Sequence, residues 1–348
     1  MDGILQDSYH KNNYFYKMKI LGIESSCDET AASVYADGNI LSNIIASQAV
    51  HQKFGGVVPE LASRAHHKSI TATVEQALSE ARTGLGDLDG IAVARGPGLM
   101  GSLLVGLSFA KGLAVSNHIP LIGVNHIDAH MYANFIEHKE AYPFVALIVS
   151  GGHTRLVYTE KIFQHKLLGK TRDDAAGEAF DKIGKILNLP YPAGPVVDKL
   201  SRDGDGSFHQ FPRSMIHKGL DFSFSGLKTS VLYYIQEKGE TYVQHNLNDI
   251  CASISEAITD VLVEKLKKAA EKTGVHHILI AGGVSANSML RQKVMSYAKE
   301  SGLNLMIPSI QYCTDNAAMI AVTGALKMRE NIIDDLTLKP FARIEKGC

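Results

Sequence analysis

Cysteine is scarce in this chain. The four residues Cys27, Cys251, Cys313 and Cys348 lie far apart and no C-x-x-C occurs. That spacing excludes a disulfide framework and a zinc ribbon, and it fits a reducing, cytoplasmic setting. Long apolar runs are also missing: none approaches the roughly 18 residues that a membrane span needs. Nor does one sign of charge prevail. The balance of 35 Lys and Arg against 36 Asp and Glu leaves a net charge of −1, so bulk charge does not advertise nucleic-acid binding, although a local basic patch stays open. Low-complexity linkers are absent. Met1 to Lys17 has neither an apolar core nor an arginine, which excludes a secretory signal and a transit peptide. The expectation is an N-terminal extension, disordered and outside the fold, with Met18 as a candidate start.

The 348 residues suffice for two ordinary domains with separate cores. From Met18 the pattern gives three short strands (Lys19–Glu24, Thr30–Tyr35, Ile40–Ala46) joined by polar turns, then a helix over Pro59–Arg82. The second half repeats this order: strands at Phe144–Ser150, Thr154–Thr159 and Phe163–Leu168, then a helix over Asp173–Asn188. Such self-similarity at long spacing predicts a duplicated βββα unit with a cleft between the copies. Later segments alternate strand and helix, which predicts an α/β fold. The expected division is a first lobe over 18–140, rejoined by about 325–345, and a second lobe over 141–324, with a hinge near Glu137–Tyr142.

Two apolar runs in the second half end in Gly-Gly: Phe144–Ser150 before Gly151-Gly152-His153, and His277–Ala281 before Gly282-Gly283. Chains without Cβ atoms approach ligands closely, and N–H groups in such turns point at anions. Each turn alone is also consistent with simple tight turning; the pair predicts a phosphate-handling site. His126 and His130 are four residues apart, on one helix face, the spacing a metal needs from adjacent turns. A zincin would carry Glu after the first His, and here Ile127 stands there, which argues against a peptidase. Asp315, after a strand and before a helix, is a candidate third ligand or a helix N-cap. Two His and one carboxylate leave open coordination positions for a substrate oxygen. Asp174, Glu178 and Asp181 share a helical stripe that is either a solvated face or a set of ribose acceptors. Asn287 is either a base or ribose contact or a solvent-facing residue of a first helical turn. Asp221 to Thr229 mixes aromatics, hydroxyls and a lysine, and reads as a buried strand end or a stacking surface. Lys265, Lys267, Lys268 and Lys272 form a basic helix end with a solvating, dipole-balancing role.

Several segments taken together resemble one family across Met18 to Met328. They include Gly22 to Thr30, Gly55 to Arg64, Arg95 to Gly101, His126-x3-His130, Val149 to His153, Asp173 to Lys182, Phe222 to Lys228, Ala281 to Asn287 and Cys313 to Asn316. The chain resembles the TsaD family, bacterial tRNA threonylcarbamoyltransferase subunits. The resemblance implies a two-lobed, actin-like ATPase fold. It implies transfer of a threonylcarbamoyl group from threonylcarbamoyl-AMP to N6 of the adenosine 3′ of the anticodon, in tRNAs reading codons that start with A. Implied partners are tRNA, a TsaB-like subunit forming a heterodimer, a TsaE-like ATPase, and a TsaC-type synthase supplying the adenylate; no membrane is involved.

Carried onto this sequence, the motifs imply His126, His130 and Asp315 as ligands of one divalent metal, with iron(II) favoured over zinc or manganese. They imply Val149, Ser150, Gly151, Gly152, His153, Asp181, Gly194, Asp198 and Asn287 as contacts to the adenylate, with ATP and Mg as a further ligand. The family usually writes Pro-Gly-Gly-Pro where this chain has Pro192-Ala193-Gly194-Pro195; the second glycine is kept. Glu29 and Asp28, in the first polar turn, are candidates for proton removal or for a second cation, against a reading as an exposed acidic turn. Rival functions are an actin-fold small-molecule kinase and a nucleotide-gated binding module.

Overall fold

The structure, a computed structural model, describes residues 18–48 and 56–343. The expected extension Met1–Lys17 lies outside them, as do the last residues of the segment expected to rejoin the first lobe. The chain divides into two compact units. One comprises the chain up to Glu137 and from Asp315 onward; the other comprises His138–Thr314.

The first unit is built on a five-stranded sheet of order β3-β2-β1-β4-β5, with β1 Lys19–Glu24, β2 Glu29–Ala36, β3 Asn39–Ser47, β4 Gly90–Gly96 and β5 Leu121–Asn125. β1 to β3 form an antiparallel meander, and β4 and β5 extend it in parallel from β1. β1 reads as an unbroken apolar run because it is central and covered on both faces. Helices Pro59–Glu80 and Met100–Asn117 pack on one face, and helix Ala317–Arg329 on the other. That last helix comes unusually close. A Cβ on Gly22 would stand 2.5 Å from the carbonyl oxygen of Ala317, and one on Gly324 would stand 2.3 Å from Ala92 Cβ. Only glycine permits such an approach. The helix therefore belongs to the first unit, and the chain returns at Asp315 rather than near residue 325.

The second unit repeats the plan. β6 Phe144–Val149, β7 Thr154–Lys161 and β8 Gln164–Lys170 form the meander, and β9 His277–Ala281 and β10 Asn304–Met306 add in parallel from β6. The order β10-β9-β6-β7-β8 is the first sheet read from its other end, so the duplication seen in the sequence is a duplication of topology. Every residue of β6 is fully buried. Helices Ala176–Ile186, Leu247–Thr273 and Ser288–Ser301 complete the repeated plan, and the longest ends at Gly274 in the left-handed conformation expected of a C-cap (φ 64°).

Three helices between the meander and β9 are additions to the sequence expectation: Ala193–Ser201, Ser225–Lys238 and Glu240–His245. The segment Asp221–Thr229 is not simply a strand end. Phe222 makes one isolated parallel bridge to Thr171, and the helix starts at Ser225. Phe222 and Phe224 are buried, so neither is a stacking platform. Helix Ala176–Ile186 also starts later than the expected Asp173, which leaves Asp174 ahead of the helix and off its stripe.

Candidate active site

In the first unit β5 ends at Asn125, whose side chain accepts from the N–H of Ile127 and Asp128 and so starts helix His126–Tyr132. The first residue of that helix is His126, and one turn on is His130; both are buried. The two rings meet edge to face with centroids 4.7 Å apart. Asp315 Oδ1 lies 3.4 Å from His126 Nε2 and 3.2 Å from His130 Nε2. Asp315 is free for this because it is not the N-cap of helix Ala317–Arg329. Asn316 takes that role, accepting from the N–H of Met319 at 3.0 Å.

The ligand atoms of His126, His130 and Asp315 all lie within 4.8 Å of one another. His130 Nδ1 is buried without a hydrogen-bond partner among the described residues, and its buried Nε2 faces the carboxylate of Asp315; a buried polar nitrogen left unsatisfied is costly. Two imidazoles and a carboxylate converging on one point fit a divalent metal.

A second carboxylate stands behind the first histidine. Glu24, 1% exposed at the end of β1, takes His126 Nδ1 on Oε2 at 2.9 Å and accepts from the N–H of Ser26 on Oε1 at 2.5 Å. Ser26 Oγ lies 3.1 Å from the same ring nitrogen. Placing the proton on Nδ1 leaves Nε2 as the lone-pair donor facing Asp315, the arrangement by which outer partners orient metal-binding histidines. Sequence reasoning missed Glu24 and Ser26; the available signal was a carboxylate closing an otherwise apolar central strand. The electrostatics agree with a proton-or-cation site. Burial opposes a charge on His126, but Asp315 and Glu24 hold its pKa well above the usual range. Burial likewise opposes ionisation of Asp315, and the two histidines pull it well below the carboxylate range.

Asp28 and Glu29 follow β1 in the same unit and are only partly exposed. Burial, then the charges of Asp315 and Asp28, push Glu29 up to about 9, and it is hydrogen-bonded to Asp28. Burial and the same acids raise the Cys27 thiol far above its ordinary range, so Cys27 is no nucleophile.

In the second unit the two Gly-Gly turns leave adjacent parallel strands at the same sheet edge, with Ile148 paired to Ala281. They also touch: Gly282 has φ 87°, and a Cβ there would stand 2.5 Å from the carbonyl oxygen of Val149. The other turn is closed by Ser150 N–H donating to the His153 carbonyl at 2.8 Å and His153 N–H donating to Ser150 Oγ at 3.2 Å. Gly151 and Gly152 differ from Gly282 in that a Cβ on either would meet no atom within 4 Å. Their smallness serves no internal packing.

Asp181, Gly194, Asp198 and Asn287 are brought to this same edge by a relay of helix starts. Asp181 accepts from the N–H of Ala193 at 2.8 Å and from that of Gly194, while burial holds its pKa above the usual range. Asp198, in the helix so capped, accepts from Ser288 N–H and Oγ at 2.7 and 2.8 Å and pairs with Arg202 at 2.7 Å. Asn287 is buried and accepts from Leu290 N–H at 2.9 Å, so it is an N-cap rather than a solvent-facing residue. Asp174 and Glu178 are tied to Lys182 at 2.6 and 2.8 Å.

The chain matches the family model TsaD, tRNA N6-adenosine threonylcarbamoyltransferase, over residues 39–322. It is 49% identical over 334 residues to the protein of that description from Christiangramia forsetii, covering 94% of this chain and 98% of the relative. Against that of Chloroherpeton thalassium it is 53% identical over 345 residues, covering 94% and 98%. The chain belongs to the TsaD family. The TsaD match takes in all three residues of the triad and both glycine turns, whereas Glu24, Asp28 and Glu29 precede it.

Solved structures place the TsaD chain within the actin-like ATPase fold. Component A of (R)-2-hydroxyglutaryl-CoA dehydratase from Acidaminococcus fermentans aligns at TM-score 0.55 and 14% identity, over 89% of this chain and 99% of that one. HypF of T. kodakarensis aligns at 0.60 and 12%, over 91% of this chain and 48% of its own. Likeness at this identity concerns the fold alone.

Proposed function

We propose that this chain transfers the threonylcarbamoyl group of threonylcarbamoyl-AMP to N6 of the adenosine 3′ of the anticodon in tRNAs reading codons that begin with A. The observation that carries the reading is the convergence of His126, His130 and Asp315 in a chain of the TsaD family. In this reaction the N6 amine attacks the carbamoyl carbonyl carbon. A C–N bond forms, the bond from that carbon to the phosphate oxygen breaks, and AMP leaves with the electron pair. The acyl donor is already activated, so positioning and charge stabilisation supply most of the rate.

The adenylate is assigned to Val149, Ser150, Gly151, Gly152 and His153 with Asp181, Gly194, Asp198 and Asn287. The unfilled space over Gly151 and Gly152 supports that assignment. The ligand set of two imidazoles and one carboxylate with open positions suits iron(II), with zinc and manganese as alternatives; when bound, the ion would supply Lewis-acid polarisation of a substrate oxygen. Glu29, at about 9, keeps its proton near neutrality, so in this reading proton removal from N6 falls to the neighbouring Asp28.

Among the described residues no helix is long and apolar enough to cross a membrane, and a cytoplasmic site of action follows from the tRNA substrate. Helix Met100–Asn117 keeps Met100, Leu104 and Val115 exposed at 43, 47 and 53%, an apolar face that supports a TsaB-like partner. A TsaE-like ATPase and a TsaC-type synthase complete the proposed set.

The test is incorporation of labelled threonine, presented as threonylcarbamoyl-AMP, into unmodified tRNA by the chain with and without its partners. His126→Ala should abolish incorporation. Asp28→Asn should slow it about 100-fold while leaving adenylate affinity intact. Incorporation by no combination of wild-type proteins would sink the reading.

A further inference from the structure

The cations of this chain are unevenly spread. From Lys161 to Arg172 the sequence carries Lys161, Lys166, Lys170 and Arg172 with no carboxylate, and from Gly206 to Leu220 it carries Arg213 and Lys218 with none. The second unit brings these stretches together. The first is the end of β7 and the whole of β8, the last strand of its sheet, whose one strand neighbour among the described residues is β7. The second runs alongside it: a Cβ on Gly169 would lie 2.1 Å from the Leu220 carbonyl oxygen. Phe222 N–H donates to the Lys170 carbonyl at 3.0 Å, and Arg172 N–H to that of Phe222 at 3.0 Å.

Lys161, Lys166, Lys170 and Lys218 are exposed and form no ion pair among the described residues. Arg172, with 64% of its side chain exposed, pairs with Asp221 at 3.0 Å. Of the other acids nearby, Glu160 beside Lys161 is exposed, while Asp173 and Asp174 are engaged elsewhere. Asp173 takes Ser223 Oγ, Ser225 Oγ and the N–H groups of Phe224 and Ser225, and Asp174 takes Lys182.

The strip adjoins the candidate adenylate turn. Thr171 N–H donates to the Thr154 carbonyl at 2.9 Å, and Thr154 follows His153 directly. The alternative basic feature, the end of helix Leu247–Thr273, is mostly consumed internally. Lys265 is fully buried, donating to the carbonyls of Met215, Lys218 and Gly219 at 2.5, 2.8 and 2.8 Å. Lys268 pairs with Glu264 and donates to Ile216, and Lys267 lies over the Tyr297 ring.

We infer that β8 and the adjoining loop form a phosphate-contacting strip for the tRNA, with Lys166, Lys170, Arg172 and Lys218 as its exposed cations. The inference rests on the proposed transferase reading and adds where the nucleic acid lies. Contacts of this kind position a backbone without reading bases, and each releases counterions, so they are visible in the salt dependence.

The experiment measures tRNA affinity of the full chain, with its partners present if wild type needs them, across a range of KCl concentrations. It compares wild type with Lys166→Gln/Lys170→Gln/Lys218→Gln and with a control, Lys267→Gln/Lys272→Gln. The strip variant should bind about tenfold or more weakly at low salt, for any tRNA sequence. Its slope of log affinity against log salt should shrink by about 2 to 3, with the urea midpoint and adenylate affinity unchanged. The control should match wild type. A strip variant with wild-type affinity and slope overturns the inference and leaves these lysines as guards of an open sheet edge; so does a loss confined to the control. Wild type with no tRNA affinity under any condition would instead overturn the functional reading beneath it.

Discussion

Glu24 touches no ligand position of the triad except through His126, yet it sets which nitrogen of that ring faces Asp315. Replacing it with glutamine keeps size and removes the charge that holds the Nδ1 proton. Loss of such an outer partner costs about 10- to 100-fold in metal affinity, so Glu24→Gln should fold normally and bind iron(II) or zinc correspondingly more weakly in a direct metal titration. Affinity equal to wild type would show that His126 is oriented by Ser26 and helix geometry alone. The same scale explains what the sequence reveals and hides. His126, His130 and Asp315 are legible because their chemistry and motif positions survive in one dimension. Glu24 and Ser26 are not, because their role depends on β1 lying beside the start of helix His126–Tyr132, across about a hundred residues of chain.

Among the elements, the two glycine turns look alike in sequence and differ in physical duty. Gly282 is demanded by the fold: its φ of 87° and the 2.5 Å approach to Val149 leave no room for a methyl group. Gly282→Ala should therefore lower stability by about 2 kcal/mol or more, read from the urea midpoint. Gly151 has open space over it, and Gly151→Ala should leave that midpoint within about 0.5 kcal/mol while weakening adenylate binding. A stable Gly282→Ala protein, or a Gly151→Ala protein that keeps full adenylate affinity, would contradict this division of labour. Strands and the repeated meander were legible because buried apolar runs between polar turns carry their own period. The helices Ala193–Ser201, Ser225–Lys238 and Glu240–His245 were not. They begin in polar, glycine- and proline-bearing stretches, and their starts are set by distant caps: Asp181 for the first, and Asp173 through Phe224 and Ser225 for the second.

At the scale of the whole molecule, a net charge of −1 leaves pH stability to a few displaced groups that act in opposite directions. Burial lowers His165 to about 4 from 6.5. Between those values the unfolded chain binds the proton that the folded chain refuses, so stability falls as pH drops from 6.5 towards 4. Burial and the neighbouring acids raise Glu29 to about 9 from 4.5. Over that wider window the folded chain holds a proton that the unfolded chain has released. Its contribution is therefore full below 4.5 and is lost as pH rises towards 9. Between 4.5 and 6.5 the two contributions run in opposite directions and offset, so the metal-free protein should be level there and decline along an alkaline limb from 6.5 towards 9, to which the raised His126 also contributes. Urea midpoints taken from pH 4 to 9 test this directly: between 4.5 and 6.5 His165→Gln should expose a fall in stability with rising pH and Glu29→Gln a rise, and Glu29→Gln should also make the alkaline limb shallower. Since the neighbouring charge of Asp315 is part of what raises Glu29, saturating the triad with a divalent ion should also flatten the alkaline limb of wild type. An alkaline limb identical with and without the metal would separate the Asp28–Glu29 turn from the triad and remove the basis for giving them one chemical task.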